Sequence, residues 1–180
     1  QQCDFRIDCL GGDYDERLNP NTFFSRTRDQ RHDEMAETIA RIYGFRYVIE
    51  RPAASVFTTT TVVPSIIAEC GGIKTLVESD TANHVEGIRN VMRFFNMIKG
   101  RPRIRVRQLF VREFSTVRAE EGGLFYPKVE IGDMVRKEQI IGEIWNVWGD
   151  VVETLISPMD GVVRKMTTNH ATNSGETLIQ

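Results

Sequence analysis

The histidines are the first residues to consider, because imidazole is a common metal ligand and proton carrier. The sequence contains His32, His84 and His170, and no two of them have the spacing of a ligand pair. His32 lies in a charged segment, His84 opens a predicted helix, and His170 lies in a polar loop. Each is therefore interpreted as a surface or capping residue rather than as part of a metal site.

The cysteines give equally little evidence of a bound metal or a disulfide. Cys3, Cys9 and Cys70 are an odd number and form no Cys-x-x-Cys pair. A disulfide framework is not expected from this pattern, and a reducing cytoplasm is the predicted location.

One carboxylate has a position suited to catalysis. Glu69 is the next-to-last residue of the apolar segment 65–70, and Gly71 and Gly72 directly follow that segment. Open α/β sheets place their sites at the carboxyl ends of strands, and the glycines allow a sharp turn with room for a substrate. From these residues alone Glu69 is either a functional carboxylate or, as such motifs more often indicate, a solvated glutamate at a strand end.

The elements that would position Glu69 alternate between strands and helices over the first part of the chain. Apolar runs and turn residues predict strands, and apolar residues at helical spacing, such as Met35, Ile39 and Ile42, predict helices. The predicted strands cover 5–10, 46–50 and 65–70, the predicted helices cover 28–43 and 81–98, and 55–63 is either a strand or a crossover helix. This alternation predicts a mainly parallel sheet covered by helices.

The remainder of the chain has a different pattern. From Ile104 onward, short β-rich runs alternate with turns such as Gly132-Asp133 and Gly149-Asp150. We therefore predict two domains, an α/β domain over 1–103 and a compact all-β domain over 104–180.

Composition excludes two classes of partner. The net charge is -2, with 41% hydrophobic and 27% charged residues. This balance gives no reason to expect binding to nucleic acid, and no apolar run has the length of a membrane span.

Several segments, taken in order, carry a family resemblance. They are Asp8-Cys9-Leu10-Gly11-Gly12-Asp13, the run 64–72 that ends with Glu69-Cys70-Gly71-Gly72, the helix 84–97, Gly122-Gly123-Leu124-Phe125, Gly132-Asp133-Met134-Val135 and the run 157–163. Their succession resembles the succinylglutamate desuccinylase/aspartoacylase family, which is similar in fold to the zinc carboxypeptidases. The likeness implies a partial zinc-carboxypeptidase-like sheet followed by a barrel-sandwich module similar to biotinyl and lipoyl carrier domains.

The resemblance implies a cytoplasmic zinc-dependent hydrolase that cleaves an N-acyl amide or a related acyl or ester bond. The expected substrate is a small N-acylated amino acid, and Glu69 would be the catalytic carboxylate. The arginines that would hold the substrate are not identifiable, since Arg17, Arg26 and Arg28 are candidates by proximity alone.

The zinc ligands of the family are missing here. The family takes two ligands from a His-x-x-Glu motif and the third from the histidine of its Asp-Leu-His segment. This sequence has no His-x-x-Glu, and Leu10 stands where the third ligand would be. Cys9 should point to the other face of the sheet, and Asp8 is interpreted as a polar strand residue. We therefore expect a C-terminal part of such an enzyme that binds no zinc by itself and is inactive alone. Its exposed sheet edge and apolar helix faces predict poor solubility or oligomerisation.

The non-enzyme alternative is a scaffold or interaction subunit derived from the same family. A carrier role is not expected, because the hairpin around Trp145 to Val151 contains no lysine for a cofactor arm. The complete gene sequence upstream of Gln1 would distinguish an enzyme from a scaffold.

Overall fold

The structure is a computed structural model that describes residues 3–27, 29–51, 63–73, 77–104 and 106–180. Contacts divide the chain into two compact units. The first contains the described residues of Gln1–Gly11, Pro20–Gly71 and Leu76–Arg112, and the second contains those of Gly12–Asn19, Gly72–Thr75 and Glu113–Gln180.

The described residues form two helices and many short strands. In chain order the elements are β1 (Arg6–Leu10), β2 (Glu16–Leu18), β3 (Asn21–Ser25), α1 (Gln30–Tyr43), β4 (Tyr47–Arg51), β5 (Ser65–Glu69), α2 (Glu78–Phe94), β6 (Leu109–Val111), β7 (Val117–Arg118), β8 (Gly123–Pro127), β9 (Met134–Val135), β10 (Ile140–Trp145), β11 (Val151–Ile156), β12 (Gly161–Val162), β13 (Lys165–Thr167), β14 (Ala171–Thr172) and β15 (Thr177–Ile179). Neither helix is long and apolar enough to cross a membrane.

The first unit is a five-stranded mixed sheet in the order β1-β5-β3-β4-β6. The pairs β1–β5, β3–β4 and β4–β6 are parallel, and β3 runs antiparallel to β5. The predicted mainly parallel sheet is confirmed, but β3 was missed. Its residues are all buried, yet the preceding Asn19-Pro20 favoured a loop over this segment.

Helix α1 follows its sequence signals closely at both ends. The carboxylate of Asp29 accepts hydrogen bonds from the backbone N–H groups of Arg31 and His32, which makes it the N-cap. Gly44 ends the helix with φ of 97°, a left-handed conformation that glycine adopts without strain. Ile39 is fully buried as expected, whereas Met35 is 36% exposed and lies outside the face that packs on the sheet.

Helix α2 differs more from its prediction. It begins earlier and ends at Phe94 rather than at Ile98. Helical spacing predicts a continuous apolar stripe on this helix that includes Val85 and Ile88, but both are exposed, so the stripe is only partly buried. The side that packs inward carries Val91, as the stripe predicts, together with Gly87 and Asn90. A small residue and a hydrogen-bonded amide allow the helix to approach α1 closely.

One side of the sheet forms the main core of the first unit. Residues on alternate positions of the strands pack against inward residues of the helices, which excludes water from both surfaces. The buried members are Phe24, Val48, Ile66, Ala68 and Cys70 from the sheet side and Ala36, Ile39, Ala40, Tyr43, Phe45 and Val91 from the helices and their ends.

The second unit is all-β over its described residues. Its sheets have the orders β11-β10-β8-β14, β12-β9 and β2-β13-β15-β7. Phe125, Ile141, Ile144, Leu155 and Leu178 are among the side chains that fill its core.

The division of the chain differs from the predicted boundary between 103 and 104. Strand β6 pairs in parallel with β4 and so belongs to the first sheet. Strand β2, far earlier in the sequence, pairs with β13 and so belongs to the second unit. The sequence could not show this exchange, because both pairings join segments that are distant in the chain. The ambiguous segment 55–63 lies, except for Val63, outside the described residues.

Gly87 should be irreplaceable in α2 despite the low helix propensity of glycine. A Cβ atom at this position would lie 2.2 Å from Cε1 of Tyr43, which is 1% exposed and cannot move aside. Gly87→Ala should therefore destabilise the chain by about 1–3 kcal/mol, although alanine would stabilise an exposed helix position by about 1 kcal/mol.

Urea unfolding followed by far-ultraviolet circular dichroism measures this effect. Gly161→Ala is the matched control, because the space around Gly161 is open. A Gly87→Ala variant as stable as the parent would contradict the close packing of α2 on α1.

Candidate functional site

Glu69 and Leu10 end neighbouring parallel strands at the same level. Glu69 on β5 is the register partner of Leu10 on β1 and of Asn21 on β3. The backbone N–H of Cys70 donates to the carbonyl of Leu10 at 3.1 Å, which fixes this register. Paired residues of adjacent strands project to the same face, so the carboxylate and the leucine side chain share one side of the sheet.

Glu69 and Leu10 have different exposures at this edge. Glu69 is half-buried, and Leu10 is 41% exposed. Leu10 thus places an apolar side chain on the same face as the carboxylate, at the position where the resemblance implies a nitrogen donor. Leucine has no lone pair to offer a metal ion.

Arg51 is a cation on the same face that sequence reasoning missed. Its guanidinium lies 3.9 Å from the centre of the Phe23 ring. Burial lowers the pKa of Arg51, and the negative charge of Glu69 partly opposes that effect. The Nε atom of Arg51 is buried and has no hydrogen-bond partner within the described residues. The only sequence signal was an arginine closing a strand before Pro52.

Of the three arginines considered from the sequence, the structure describes Arg17 and Arg26. Arg26 pairs with Glu37 at 2.7 Å and with Glu50 at 3.3 Å. Arg17 belongs to β2 in the second unit, and Arg28 lies outside the described residues.

The opposite face of the sheet carries a hydrogen-bond network around His84. Its Nε2 lies 3.2 Å from the carbonyl oxygen of Leu10, and its Nδ1 lies 2.9 Å from the Tyr43 hydroxyl. A carbonyl can only accept, so Nε2 carries a proton, and in the neutral ring Nδ1 accepts from Tyr43. His84 is therefore not a capping residue, since α2 begins six residues earlier at Glu78.

Cys9 points into this network and away from Glu69, as alternation along the strand predicts. Its thiol lies 3.4 Å from the Tyr43 hydroxyl. Burial is the main cause that raises the pKa of Tyr43 far above its usual value, and the contact with Cys9 adds to it. Burial likewise raises the pKa of the Cys70 thiol to about 12, which keeps it protonated and unreactive.

Asp8 shares a face with Leu10, yet it is already engaged. Nε and Nη2 of Arg6 donate to the two carboxylate oxygens of Asp8 at 2.7 and 2.6 Å. This fork-like pairing satisfies the carboxylate and makes it a poor substitute ligand.

The donors present do not fit a zinc ion. Over residues 3–27, 29–51, 63–73, 77–104 and 106–180, no group of three or more His, Cys, Asp and Glu side chains could hold a metal. Both ring nitrogens of His84 are occupied, His32 lies 3.9 Å from Asp29, and His170 contacts the carbonyl of Phe125.

The chain therefore combines two kinds of unit. One is a mixed α/β unit with a half-buried carboxylate at a strand end, and the other is all-β. Solved structures share this fold. The ectoine utilization protein EutE (DoeB) from Ruegeria pomeroyi matches with a TM-score of 0.86 and 17% identity, over 96% of this chain and 56% of that one.

The family named by the sequence motifs is among the structural neighbours. A succinylglutamate desuccinylase/aspartoacylase from Rhodobacter sphaeroides matches with a TM-score of 0.84 and 21% identity, over 98% of this chain and 57% of that one. A succinylglutamate desuccinylase from a Silicibacter species matches with a TM-score of 0.87 and 15% identity, over 98% and 57%. The resemblance is thus confirmed at the level of the fold.

The matched structures are longer than this chain. The chain spans a little over half the length of each of these structures. No protein-family model and no curated protein matches the sequence.

Proposed function

We propose that this chain is part of a hydrolase of the succinylglutamate desuccinylase/aspartoacylase type, which cleaves an N-acyl amide or a related acyl or ester bond. The observation that carries the proposal is the pairing of Glu69 with Leu10 at the ends of two parallel strands. The shared fold supports it, because the structural neighbours include the family that the sequence motifs resemble.

Glu69 would act as the proton-transferring carboxylate. It is half-buried at a strand end, where it can accept a proton from an attacking water and deliver it to the leaving nitrogen. Arg51, on the same face, would attract the carboxylate of a small N-acylated amino acid.

We also propose that this chain by itself binds no zinc and is inactive. The zinc of the family would need donors that these residues do not supply, since Leu10 replaces one and the sequence has no His-x-x-Glu. Asp8 and His84 are engaged in other contacts and do not compensate.

The second unit would be a barrel-sandwich module that has no carrier role. Its β10–β11 hairpin has no lysine between Trp145 and Val151. We propose a cytoplasmic location, and self-association remains an expectation from the sequence.

The test compares the complete product of the gene with the chain of residues 1–180. Zinc content by elemental analysis and hydrolysis of a panel of N-acyl amino acids are measured on both. We expect hydrolysis by the complete product alone, and we expect Leu10→His in that product to raise its zinc affinity. Val85→His, on the exposed side of α2, is the control for an added histidine.

Two results would contradict these proposals separately. Stoichiometric zinc in the 180-residue chain would overturn the argument from its missing ligands. A complete product with neither zinc nor hydrolytic activity would overturn the enzyme and leave the scaffold.

A further inference from the structure

A cleft in the second unit has the size of a small-molecule site. Its volume is about 320 Å³, which falls at the lower end of the usual range for ligand pockets. Phe125 and Val129 are buried in its wall, and Ile131 and Met166 are half-buried beside them. The wall of the cleft therefore combines these apolar side chains with polar groups.

Two opposite charges line the same cleft without being paired to each other. Arg17 on β2 is the register partner of Met166 on β13, so both side chains project to the side of that sheet where the cleft lies. Among the described residues, the Arg17 guanidinium makes no side-chain hydrogen bond or ion pair, and the same holds for the carboxylate of Glu130. Both charges are exposed and available to a ligand.

The third polar element is the loop of residues 168–170, which is held firmly. The backbone N–H of Phe125 donates to the carbonyl of His170 at 2.6 Å, and Nδ1 of His170 lies 3.0 Å from the carbonyl of Phe125. Because that carbonyl can only accept, Nδ1 is the donor, and Nε2 of the neutral ring keeps a lone pair for another donor.

The loop is also held from its other end. The backbone N–H of Thr168 donates to the carbonyl of Asp15 at 2.7 Å, and the N–H of Asn169 donates to Oγ1 of Thr167 at 3.2 Å. These bonds fix the polar rim before any ligand arrives, which reduces the entropy that binding must overcome.

From this arrangement we propose that the cleft binds a free α-amino acid with an aliphatic side chain. Arg17 holds the carboxylate, and Glu130 with Nε2 of His170 receives the ammonium group. The aliphatic side chain lies on Phe125 and Met166, where it is removed from water. The cleft is built wholly from the second unit, so this inference does not depend on the function proposed for Glu69.

Norleucine is a suitable probe because two of its analogues each lack one charged group. Hexanoate lacks the ammonium group, and hexylamine lacks the carboxylate. Titration of the ¹⁵N-labelled chain, followed by NMR, should give saturable shifts at residues 168–170 with norleucine. Each analogue should bind about tenfold more weakly, the loss expected for one hydrogen-bonded charged group.

Two substitutions test the assignment of the charges. Arg17→Gln and Glu130→Gln should each weaken norleucine binding about tenfold. Arg17→Gln should also remove the preference for norleucine over hexylamine, which lacks the carboxylate. Glu130→Gln should remove the preference for norleucine over hexanoate, which lacks the ammonium group. Arg136→Gln is the control, because Arg136 is an exposed arginine of the same unit outside the cleft.

The outcomes decide the proposal clearly. Absence of saturable shifts at the cleft with norleucine would overturn it, and so would equal binding of norleucine, hexanoate and hexylamine. The comparison of probes on the unsubstituted chain needs no variant, so it stands even if a variant folds poorly.

Discussion

In the complete gene product, Glu69→Gln should lower kcat for hydrolysis of an N-acyl amino acid by about 10²–10⁴-fold, the usual contribution of a general acid–base group. Glutamine keeps the shape of the side chain but cannot take a proton from water. Glu69 is at the end of β5 and only half-buried, so the substitution should leave the fold intact.

The control for this experiment is Glu78→Gln, at an exposed position in the first turn of α2. Steady-state kinetics, zinc content and the thermal midpoint are measured on the parent and both variants. If Glu69→Gln keeps kcat within about threefold of the parent, Glu69 is not the proton acceptor. A loss of activity that accompanies lost zinc or a lower midpoint would instead indicate a structural role.

Phe24→Ala should have the largest effect on stability, about 3–5 kcal/mol, because it removes a buried aromatic side chain and leaves a cavity. Phe24 is 0% exposed on β3 and belongs to the main core of the first unit. Its ring lies 5.8 Å from that of Phe110 on β6, so the loss extends across the sheet. Collapse of the sheet around the cavity is limited, since both neighbouring strands are hydrogen-bonded to β3.

The two units carry different spectroscopic signals, so the unfolding of the first unit can be followed separately. Both described helices belong to the first unit, and both tryptophans, Trp145 and Trp148, belong to the second. Phe24→Ala should shift the urea transition seen by helical circular dichroism. Phe94→Ala, at a 40% exposed position, should shift it far less. Equal transitions for the two variants would contradict the assignment of Phe24 to the core.

Much of the local structure was predictable because its signals lie close together in the sequence. Asp29 and Gly44 bracket α1, where a side-chain cap and a left-handed glycine satisfy the helix ends. The apolar run that ends at Glu69 formed the expected strand. The alternation of side chains along β1 also predicted that Cys9 points away from Glu69.

The failures arose where burial depends on partners far away in the chain. Helical spacing placed Met35, Val85 and Ile88 on the apolar face of a helix, yet each of these side chains is exposed. Periodicity defines a stripe, but the neighbouring elements decide which part of it is covered. Gly87 lies on the inward side of α2 because the ring of Tyr43 leaves no room there for a side chain. The sequence of α2 carries no information on the position of that ring.

For the candidate site, the sequence by itself determined which side chains exist: Glu69 is near the end of an apolar segment, Leu10 stands where the resemblance implies a histidine, and no His-x-x-Glu is present. Only the tertiary structure decided that Glu69 and Leu10 are register partners, that Arg51 lies on their face, and that Arg17 belongs to the other unit. The physical reason is that chemical identity is a local property of the chain. Proximity depends on strand register and packing, which join segments tens of residues apart.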